Sequence, residues 1–446
     1  MLSPHEVIPT LEKYILVDGY PIVVDLEKSY GSHVVDARDG TDYLDFYTFF
    51  ASLPLGLNHP KLANEEFKER VFRAAVNKVA NSDMYTVEMA RFVKTFMEVA
   101  APENYVHLFM IDTGTLAVEN ALKVAMDWKV RKNLERGYNE SAQKGTKVIH
   151  FKEAFHGRSG YTLSLTNIAD PRKNMYFTKF NDWPRITNPK IKWPLEKHLD
   201  EVKRAEEEAI SQIKKAIRDN PNDICAIIIE TIQGEGGDNH FRPEFLKALR
   251  EICDENEIML IFDEVQCGMG ITGKMWAFQH YGVEPDVFAF GKKSQVCGIL
   301  STRRVDEVEK NCFVESSRIN STWGGNIVDM VRSTRILEII KEDNVLEHVN
   351  EVSKVLHKYL HALEDEFPEL VSNVRYKGLM AAFDLPNQEL RGKFLKYCFE
   401  EKMIVLPTGV VGVRFRPILT VTEEDLMEGY KRMKKALIKV RQENKL

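Results

Sequence analysis

Three continuous apolar runs constrain the fold of this chain more than any other feature of its sequence. The runs are Cys225–Ile229, Ile258–Phe262 and Val287–Phe290, and they are rich in Ile, Val and Phe. Such runs are typical of strands that are buried on both faces of a parallel sheet. Apolar residues at helical spacing, as in Val118–Trp128, lie between further short apolar runs. Strands that alternate with helices predict an α/β fold, doubly wound around a mostly parallel sheet.

The pattern divides the 446 residues into three segments. Residues 1–70 are predicted to contribute to a small domain, with short strands and turns in the first 60 residues and a helical stretch after Asn58-His59-Pro60. Residues 71–331 carry the alternating pattern and are predicted to form a large domain. Residues 332–446 are predicted to form the C-terminal small domain, an α+β unit. Within it, Thr422 and Asp425 suit a capping box at the start of the last helix.

Composition and charge exclude several classes of protein. Hydrophobic residues make up 44% and charged residues 29% of the chain, which excludes whole-chain disorder. With 61 Lys and Arg against 67 Asp and Glu, the net charge is −6 and no basic block occurs, so we expect no nucleic-acid partner. The apolar runs stop far short of the roughly 20 residues that a membrane-spanning helix needs, so we expect no membrane partner.

The six cysteines predict neither a disulfide framework nor a metal site. No two of them form a CxxC pair, and none has a histidine at zinc spacing. The N-terminal residues lack the basic stretch and apolar core of a secretory signal. We therefore expect reduced thiols, a cytoplasmic location and no bound metal.

Five predicted strands are followed by unusual polar groups. In an open α/β sheet, ligands bind outside the carboxyl ends of the strands. One such group is explained by a helix cap, but five at one edge predict a ligand crevice. The groups are Asp112–Thr115 after Val106–Ile111, Phe155–Arg158 after Val148–Phe151, Glu230 and Gln233–Gly237 after Cys225–Ile229, Asp263-Glu264 after Ile258–Phe262, and Gly291–Lys293 after Val287–Phe290.

Thr113-Gly114-Thr115 lies between a predicted strand and a predicted helix. Backbone N–H groups at a helix N-terminus, two hydroxyls and a glycine that permits close approach suit a phosphate. The alternative is a simple N-cap that involves no ligand. Both interpretations stay open on these residues alone.

Asp263 and Lys292 each stand at the end of a buried strand. A carboxylate there is solvated, caps a turn or is neutralised by a cation. A lysine there loses hydration, so its pKa falls from about 10.4 and its amine becomes nucleophilic. A structural ion pair and a snorkelling side chain are the alternatives, and each residue taken singly favours them.

Gly268–Gly273 matches the GxGxxG pattern of dinucleotide sites. Such a site needs the glycines to open a helix directly after a strand. Here residues 263–267 intervene, and only a short segment follows the glycines. We therefore expect a glycine-rich loop that crosses near a bound cofactor.

Two segments resemble the signature of the class III (omega) pyridoxal-phosphate-dependent aminotransferases. They are Phe262–Gly270, with the sequence FDEVQCGMG, and Asp286–Lys292, with the sequence DVFAFGK. Gly40–Phe46 and Leu57–Pro60 are similar to N-terminal landmarks of the same family. The resemblance implies fold type I of the pyridoxal-phosphate-dependent transferases and pyridoxal 5′-phosphate as the cofactor. Thr113, Leu116 and Thr231 differ from the usual residues of the family pattern. These differences bear on the subgroup of the family and do not change the expected fold or cofactor.

The resemblance also implies roles at the cofactor. Lys292 would bind the cofactor covalently, and Asp263 would pair with its pyridine nitrogen. Lys293 is an alternative to Lys292, but the family pattern favours the lysine that directly follows Gly291. The other implied contacts are Gly114 and Thr115 at the phosphate, Phe155 and Val265 on the two ring faces, Gln266 at the ring hydroxyl, Glu230 elsewhere in the cofactor site, and Thr322 at the phosphate of the neighbouring subunit.

Within the family, Gly291–Gly298 (GKKSQVCG) and Asn320–Gly325 (NSTWGG) most closely resemble the L-lysine 6-aminotransferases. This resemblance implies transfer of the ε-amino group of L-lysine to 2-oxoglutarate by a homodimer with shared active sites. Other omega-aminotransferases, acting on 4-aminobutyrate or ornithine, are the alternative. A mutase, a racemase, a dehydrogenase and a non-enzymatic relative are more distant alternatives.

The same resemblance implies how one pocket takes two substrates. Arg158 would anchor the distant carboxylate, and Arg414 would anchor the carboxylate beside the reacting carbon. Glu235 would pair with Arg414 when no carboxylate is bound there, and Asn320 would belong to the substrate site. On the sequence alone, Arg414 is better explained as a surface charge on a strand.

Overall fold

The computed structural model describes residues 2–445, which form a mixed α and β structure. Twelve helical segments occur in this part of the chain: α1 (Pro4–Glu12), α2 (Thr48–Ala51), α3 (Glu65–Val76), α4 (Val87–Val99), α5 (Gly114–Glu135), α6 (Gly160–Leu165), α7 (Leu195–Asp219), α8 (Pro243–Glu255), α9 (Ile327–Glu342), α10 (Val345–Glu366), α11 (Gln388–Glu400) and α12 (Glu423–Asn444). Short 3-10 helices cover Pro60–Leu62, Glu140–Ala142, Pro171–Lys173, Ala277–His280, Lys292–Ser294 and Arg303–Glu307.

Fourteen strands occur in the same residues: β1 (His33–Val35), β2 (Asp42–Asp45), β3 (Tyr105–Ile111), β4 (Lys147–Phe151), β5 (Arg185–Ile186), β6 (Ile224–Glu230), β7 (Met259–Asp263), β8 (Val287–Phe290), β9 (Cys297–Thr302), β10 (Ser372–Lys377), β11 (Met380–Asp384), β12 (Met403–Ile404), β13 (Leu406–Thr408) and β14 (Gly412–Phe415).

The largest sheet has seven strands in the order β3-β9-β8-β7-β6-β4-β5. The five strands from β8 to β5 run parallel to one another. β9 lies antiparallel between β8 and β3. The mostly parallel sheet confirms the α/β fold class, and every residue of β6, β7 and β8 is buried.

Helices cover both faces of this sheet. Successive side chains along a buried strand point to opposite faces, so each central strand packs against helices on two sides. Ile227 and Ile229 of β6 belong to the same apolar cluster as Leu249 of α8. Ile228, between them, belongs to a second cluster with Trp128 of α5. Burying one such side chain stabilises the fold by roughly 1.5–3 kcal/mol, so each central strand contributes to two cores.

Two smaller sheets are built from the rest of the chain. One is antiparallel with the order β10-β11-β14-β13. The other has the order β1-β2-β12, and β2 pairs in parallel with β12. β2, near the N-terminus, therefore lies beside β12 at residues 403–404. The domain boundaries at 70 and 331 stay a prediction.

Several local expectations need correction. The N-terminal segment contains the helix α1, which the expectation of short strands and turns missed. In the same segment, residues 21–26 are apolar apart from Asp25 but form no strand, and a single bridge joins Val24 to Asp36. Thr422 caps α12 by accepting a hydrogen bond from the Asp425 backbone N–H, but the Asp425 carboxylate bonds His33 instead of closing a capping box. No helix within residues 2–445 is both long and apolar enough to cross a bilayer.

Candidate active site

A cavity of about 650 Å³ lies at the carboxyl ends of the strands of the large sheet. Residues from all five of the predicted polar strand ends line it, so the expected crevice is present. The wall also includes Ser52, Gln295, Cys297 and Asp329, to which the sequence analysis gave no role in the site.

The adjacent lysines Lys292 and Lys293 have different surroundings. Lys292 lines the cavity, and burial together with the nearby Arg414 lowers the pKa of its amine. Lys293 is buried, and its Nζ donates to the carbonyls of Gln266 at 2.7 Å and Ala51 at 3.3 Å. Burial, and next the charge of Lys292, lowers the pKa of Lys293 to about 7. Lys292 is thus the one of the two whose amine is available to a ligand.

Asp263 ends β7 and is held in a fixed orientation. Its Oδ1 accepts from the Val265 N–H at 3.0 Å, and its Oδ2 lies 2.8 Å from Nδ1 of His156. His156 is itself buried, and its Nε2 has no hydrogen-bond partner among residues 2–445. The sequence analysis placed His156 at a strand end without giving it a role. Its position directly after Phe155, a residue with an implied cofactor contact, could have marked it as a candidate for the site.

Glu230 ends β6 directly beside Asp263, because the two residues are register partners. Its Oε1 accepts from the Phe155 N–H at 2.8 Å, and its Oε2 accepts from the Gly234 N–H at 3.1 Å. Burial, and then the neighbouring Asp263, raises the pKa of Glu230 well above its usual range. Glu230 lines the cavity and also ties two of its loops together.

The start of α5 forms another wall of the cavity. Thr113 precedes the helix at φ 110°, and its side chain makes no cap hydrogen bond, so the simple N-cap interpretation is wrong. A Cβ on Gly114 would lie 2.9 Å from a methyl carbon of Val265, which explains why a glycine stands there. The free N–H groups and the positive end of this 22-residue helix favour an anion.

Thr115 is positioned by the loop that follows β4. Its Oγ1 lies 2.7 Å from Oγ1 of Thr162 and accepts from the Arg158 N–H at 3.3 Å. Gly157 has φ +136°, and a Cβ there would lie 1.8 Å from Thr115 Oγ1. The close approach of this loop to Thr115 therefore requires a glycine at position 157.

Arg414 is 2% exposed, so its interpretation as a surface charge is wrong. The physical reason is that β14 is an inner strand, flanked by β11 and β13. Its Nη2 donates to Oε2 of Glu235 at 2.5 Å, and its Nη1 donates to Oε1 of Gln266 at 3.1 Å. The Glu235–Arg414 contact that the family resemblance implies is therefore present.

Sequence reasoning missed two partners of this network. Lys173 donates to Oε1 of Glu235. Burial alone would raise the pKa of Glu235, but the charges of Arg414 and Lys173 outweigh it and hold the pKa below its usual value. Arg416, fully buried, pairs with Asp238 and also donates to Gln266 Oε1. These contacts join distant parts of the chain, so no local pattern indicated them.

Not every predicted residue lines the cavity. Glu235 and Arg414 are not among its lining residues, and Arg414 contacts the wall through Gln266. Arg158 lines the cavity with an exposed side chain. Asn320 and Thr322 are exposed and outside the residues that line it. The carbonyl of Thr322 accepts from Ser82 Oγ at 3.1 Å, which fixes this segment on the surface of the chain. A role for these two residues in the site of a neighbouring subunit stays a prediction.

The glycine-rich segment 268–273 lies away from the cavity wall. Its glycines open no helix, as expected, but a Cβ on Gly270 would lie 2.8 Å from Leu346 and one on Gly273 would lie 2.0 Å from Asn350. Among the residues that line the cavity, none belongs to this segment. Gly270 and Gly273 allow close packing against α10, and the expectation of a loop beside a cofactor is not supported.

Comparisons with known proteins place the chain among the aminotransferases. The family model "Aminotransferase class-III" matches residues 14–437. An L-lysine-epsilon aminotransferase of Mycobacterium tuberculosis is 49% identical over 427 residues, covering 95% of this chain and 93% of that protein. A 4-aminobutyrate aminotransferase of Emericella nidulans is 31% identical over 416 residues, covering 89% and 81%. A solved lysine aminotransferase from M. tuberculosis, 48% identical, superposes with a TM-score of 0.96 and covers 98% of this chain and 100% of that chain.

Proposed function

The chain belongs to the class III aminotransferases, and from that premise we propose its substrates and cofactor. It transfers the ε-amino group of L-lysine to 2-oxoglutarate, giving 2-aminoadipate 6-semialdehyde and L-glutamate. The cofactor is pyridoxal 5′-phosphate. The 49% identity to a lysine aminotransferase, against 31% to a 4-aminobutyrate aminotransferase, supports lysine over the other omega-amino donors.

The chemistry of the cavity wall fits this cofactor. The start of α5 with Gly114 and Thr115 would hold the phosphate. Phe155 and Val265 would lie on the two faces of the ring, and Asp263 would pair with the ring nitrogen.

Gln266 would donate to the ring hydroxyl, because its Oε1 is already occupied by arginine donors and its amide N–H groups are left for a ligand. When bound, pyridoxal phosphate supplies an electron-withdrawing ring and carries the amino group between the two substrates.

Two residues of the chain govern protons at this site. His156 holds Oδ2 of Asp263 at 2.8 Å, so the other directions of the carboxylate stay open to a protonated ring nitrogen. Lys292 Nζ is the base that moves the proton between the cofactor and the substrate carbon that bears the amine. Its lowered pKa favours the neutral amine that this task needs.

The observation that carries the substrate proposal is the ion pair between the buried Arg414 and the partly buried Glu235, which meets the cavity wall where Arg414 donates to Gln266. Lysine presents its terminal amine to the reacting centre and its carboxylate to the distant Arg158. In that mode Arg414 needs an internal anion, since a buried unpaired charge is costly. Glutamate and 2-oxoglutarate bring their own carboxylate to Arg414, and the bidentate geometry of an arginine suits it. The Glu235 carboxylate must then move away from Arg414.

A homodimer with shared sites is part of the proposal. Thr322 is exposed and its carbonyl accepts from Ser82, which is followed along the chain by the exposed apolar side chains of Met84, Tyr85 and Val87. Exposed apolar side chains that lie together are typical of a surface that another protein covers. In the dimer Thr322 would contact the phosphate, and Asn320 the substrate, of the neighbouring subunit. A cytoplasmic location, with six free thiols, completes the proposal.

An amino-donor panel with 2-oxoglutarate as acceptor tests the proposed function. Glutamate formation is measured with lysine, ornithine and 4-aminobutyrate at equal concentration. Lysine should give the highest kcat/KM. A higher value with 4-aminobutyrate or ornithine would replace lysine by that donor. Turnover that forms no glutamate would indicate a mutase or racemase of the same fold.

A further inference from the structure

Glu235 has a separate cation for each of its two carboxylate oxygens. Oε2 accepts from Arg414 at 2.5 Å, and Oε1 accepts from Lys173. The side chain of Arg414 is 3% exposed, whereas those of Lys173 and Glu235 are 23% and 21% exposed. Glu235 therefore bridges a buried arginine and a more exposed lysine.

The position of Lys173 differs from that of its neighbouring cation. Lys173 ends the 3-10 helix Pro171–Lys173, and its Nζ lies 5.9 Å from the ring centre of Phe155, a residue of the cavity wall. Arg172, one residue earlier, pairs with Asp170 and is 83% exposed. The same short helix thus turns one cation toward Glu235 and the other toward solvent.

The two substrate modes place opposite demands on Glu235. With lysine bound, Glu235 stays on Arg414. With a dicarboxylate bound, an incoming carboxylate takes Arg414, and Glu235 must leave it while still charged. A displaced carboxylate beside a second carboxylate is repelled unless a cation remains with it. Lys173 already contacts the oxygen that faces away from Arg414, so it can hold Glu235 through a small displacement.

We propose that Lys173 is a specificity-determining residue that retains Glu235 when a substrate carboxylate displaces it from Arg414. Lys173 is then needed for the dicarboxylate half of the reaction and dispensable for the lysine half. The inference rests on the proposed function, because it assumes that one pocket takes both kinds of substrate. It assigns Lys173 a positioning role and no contact with the reacting atoms.

The test measures binding of two unreactive probes to the holoenzyme by calorimetry. Glutarate imitates the dicarboxylate mode, and hexanoate, with one carboxylate, imitates the lysine mode. Lys173→Met should raise the Kd of glutarate about fivefold, the size expected for a partly exposed ion pair, and leave that of hexanoate unchanged. Lys173→Arg should restore glutarate binding. Arg172→Met, which removes a cation from the same helix, is the matched control and should change neither Kd.

A double variant separates this role from general attraction of anions. In a Glu235→Gln background there is no charged carboxylate to retain, so Lys173→Met should no longer change the Kd of glutarate. An equal rise for both probes, a persistent rise in the double variant, or no rise in the single variant would each overturn the proposal. Lys173→Gln serves as a second neutral variant if Lys173→Met melts well below the wild type.

The donor panel measures the proposed function separately. Glutarate binding with no turnover of lysine would refute the lysine assignment and leave the Lys173 test valid.

Discussion

Replacing Glu235 by Gln removes the negative charge from Arg414 while keeping the size of the side chain. Breaking a buried ion pair by neutralising one partner costs about 3–5 kcal/mol. The lower end applies here, because Gln266 Oε1 still accepts from Arg414 at 3.1 Å and the Glu235 side chain is 21% exposed to water. We therefore expect Glu235→Gln to lower the free energy of unfolding by about 3 kcal/mol.

In Glu235→Gln the charge of Arg414 has no anionic partner, which predicts opposite effects on the reactions with glutamate and with lysine. A ligand carboxylate returns an anion to Arg414, so glutamate and glutarate should bind more tightly, by at most about 100-fold for 3 kcal/mol. Lysine brings a terminal ammonium group and no carboxylate toward an uncompensated arginine, so its reaction should slow. The ratio of the lysine rate to the glutamate rate should fall by at least about tenfold.

Single-turnover spectroscopy of the holoenzyme checks this expectation, with lysine and glutamate as separate donors. Arg414→Ala is the reciprocal variant and should lose the glutamate reaction first. Urea titration gives the change in the free energy of unfolding for both variants. Equal losses with lysine and glutamate in Glu235→Gln would refute the switch and leave Glu235 with a purely structural role.

Three further predictions concern the cofactor, the dimer and pH. Lys292→Ala should lose the covalent link to the cofactor and Lys293→Ala should keep it, since Lys293 Nζ bonds backbone carbonyls; borohydride reduction and peptide mapping decide, and a label on Lys293 would contradict the assignment. Thr322→Ala subunits mixed with Lys292→Ala subunits should regain activity, because one site of the mixed dimer carries neither change; full activity in a stable monomer would exclude shared sites. Burial lowers the pKa of His150 and His240 to about 3, so the unfolded chain takes up protons that the folded chain does not. The free energy of unfolding should therefore fall as pH drops from about 6.5 toward 3. In urea titrations His240→Gln should show a shallower fall, and an unchanged slope would contradict this reasoning.

The central strands could be predicted closely because their signal is local. Val287–Phe290 has the predicted bounds, and the other two long runs differ from β6 and β7 by one residue at each end. A strand buried on both faces needs apolar residues at every position, so the sequence itself marks its length. β9 was missed because Cys297–Thr302 contains a glycine and two polar residues and owes its place to antiparallel pairing with strands on both sides.

Much of the candidate site was also available from the sequence. The rule that ligands bind at the carboxyl ends of strands brings Asp263 and Lys292 to one edge. The structure places both in the wall of one cavity with Phe155, Gln266 and the start of α5. Their chemical roles come from the family resemblance and stay proposals.

The sequence by itself determined the fold class, the edge of the sheet where the site lies and the residue types gathered there. Only the tertiary structure decided which charges face one another. Glu235 contacts Lys173 and Arg414, which are 62 and 179 positions away along the chain. The burial of Arg414 follows from the position of β14 inside its sheet, and Lys293 differs from Lys292 because its amine meets backbone carbonyls. Periodicity reports the face on which a residue lies, whereas an ion pair depends on how separate elements pack against each other.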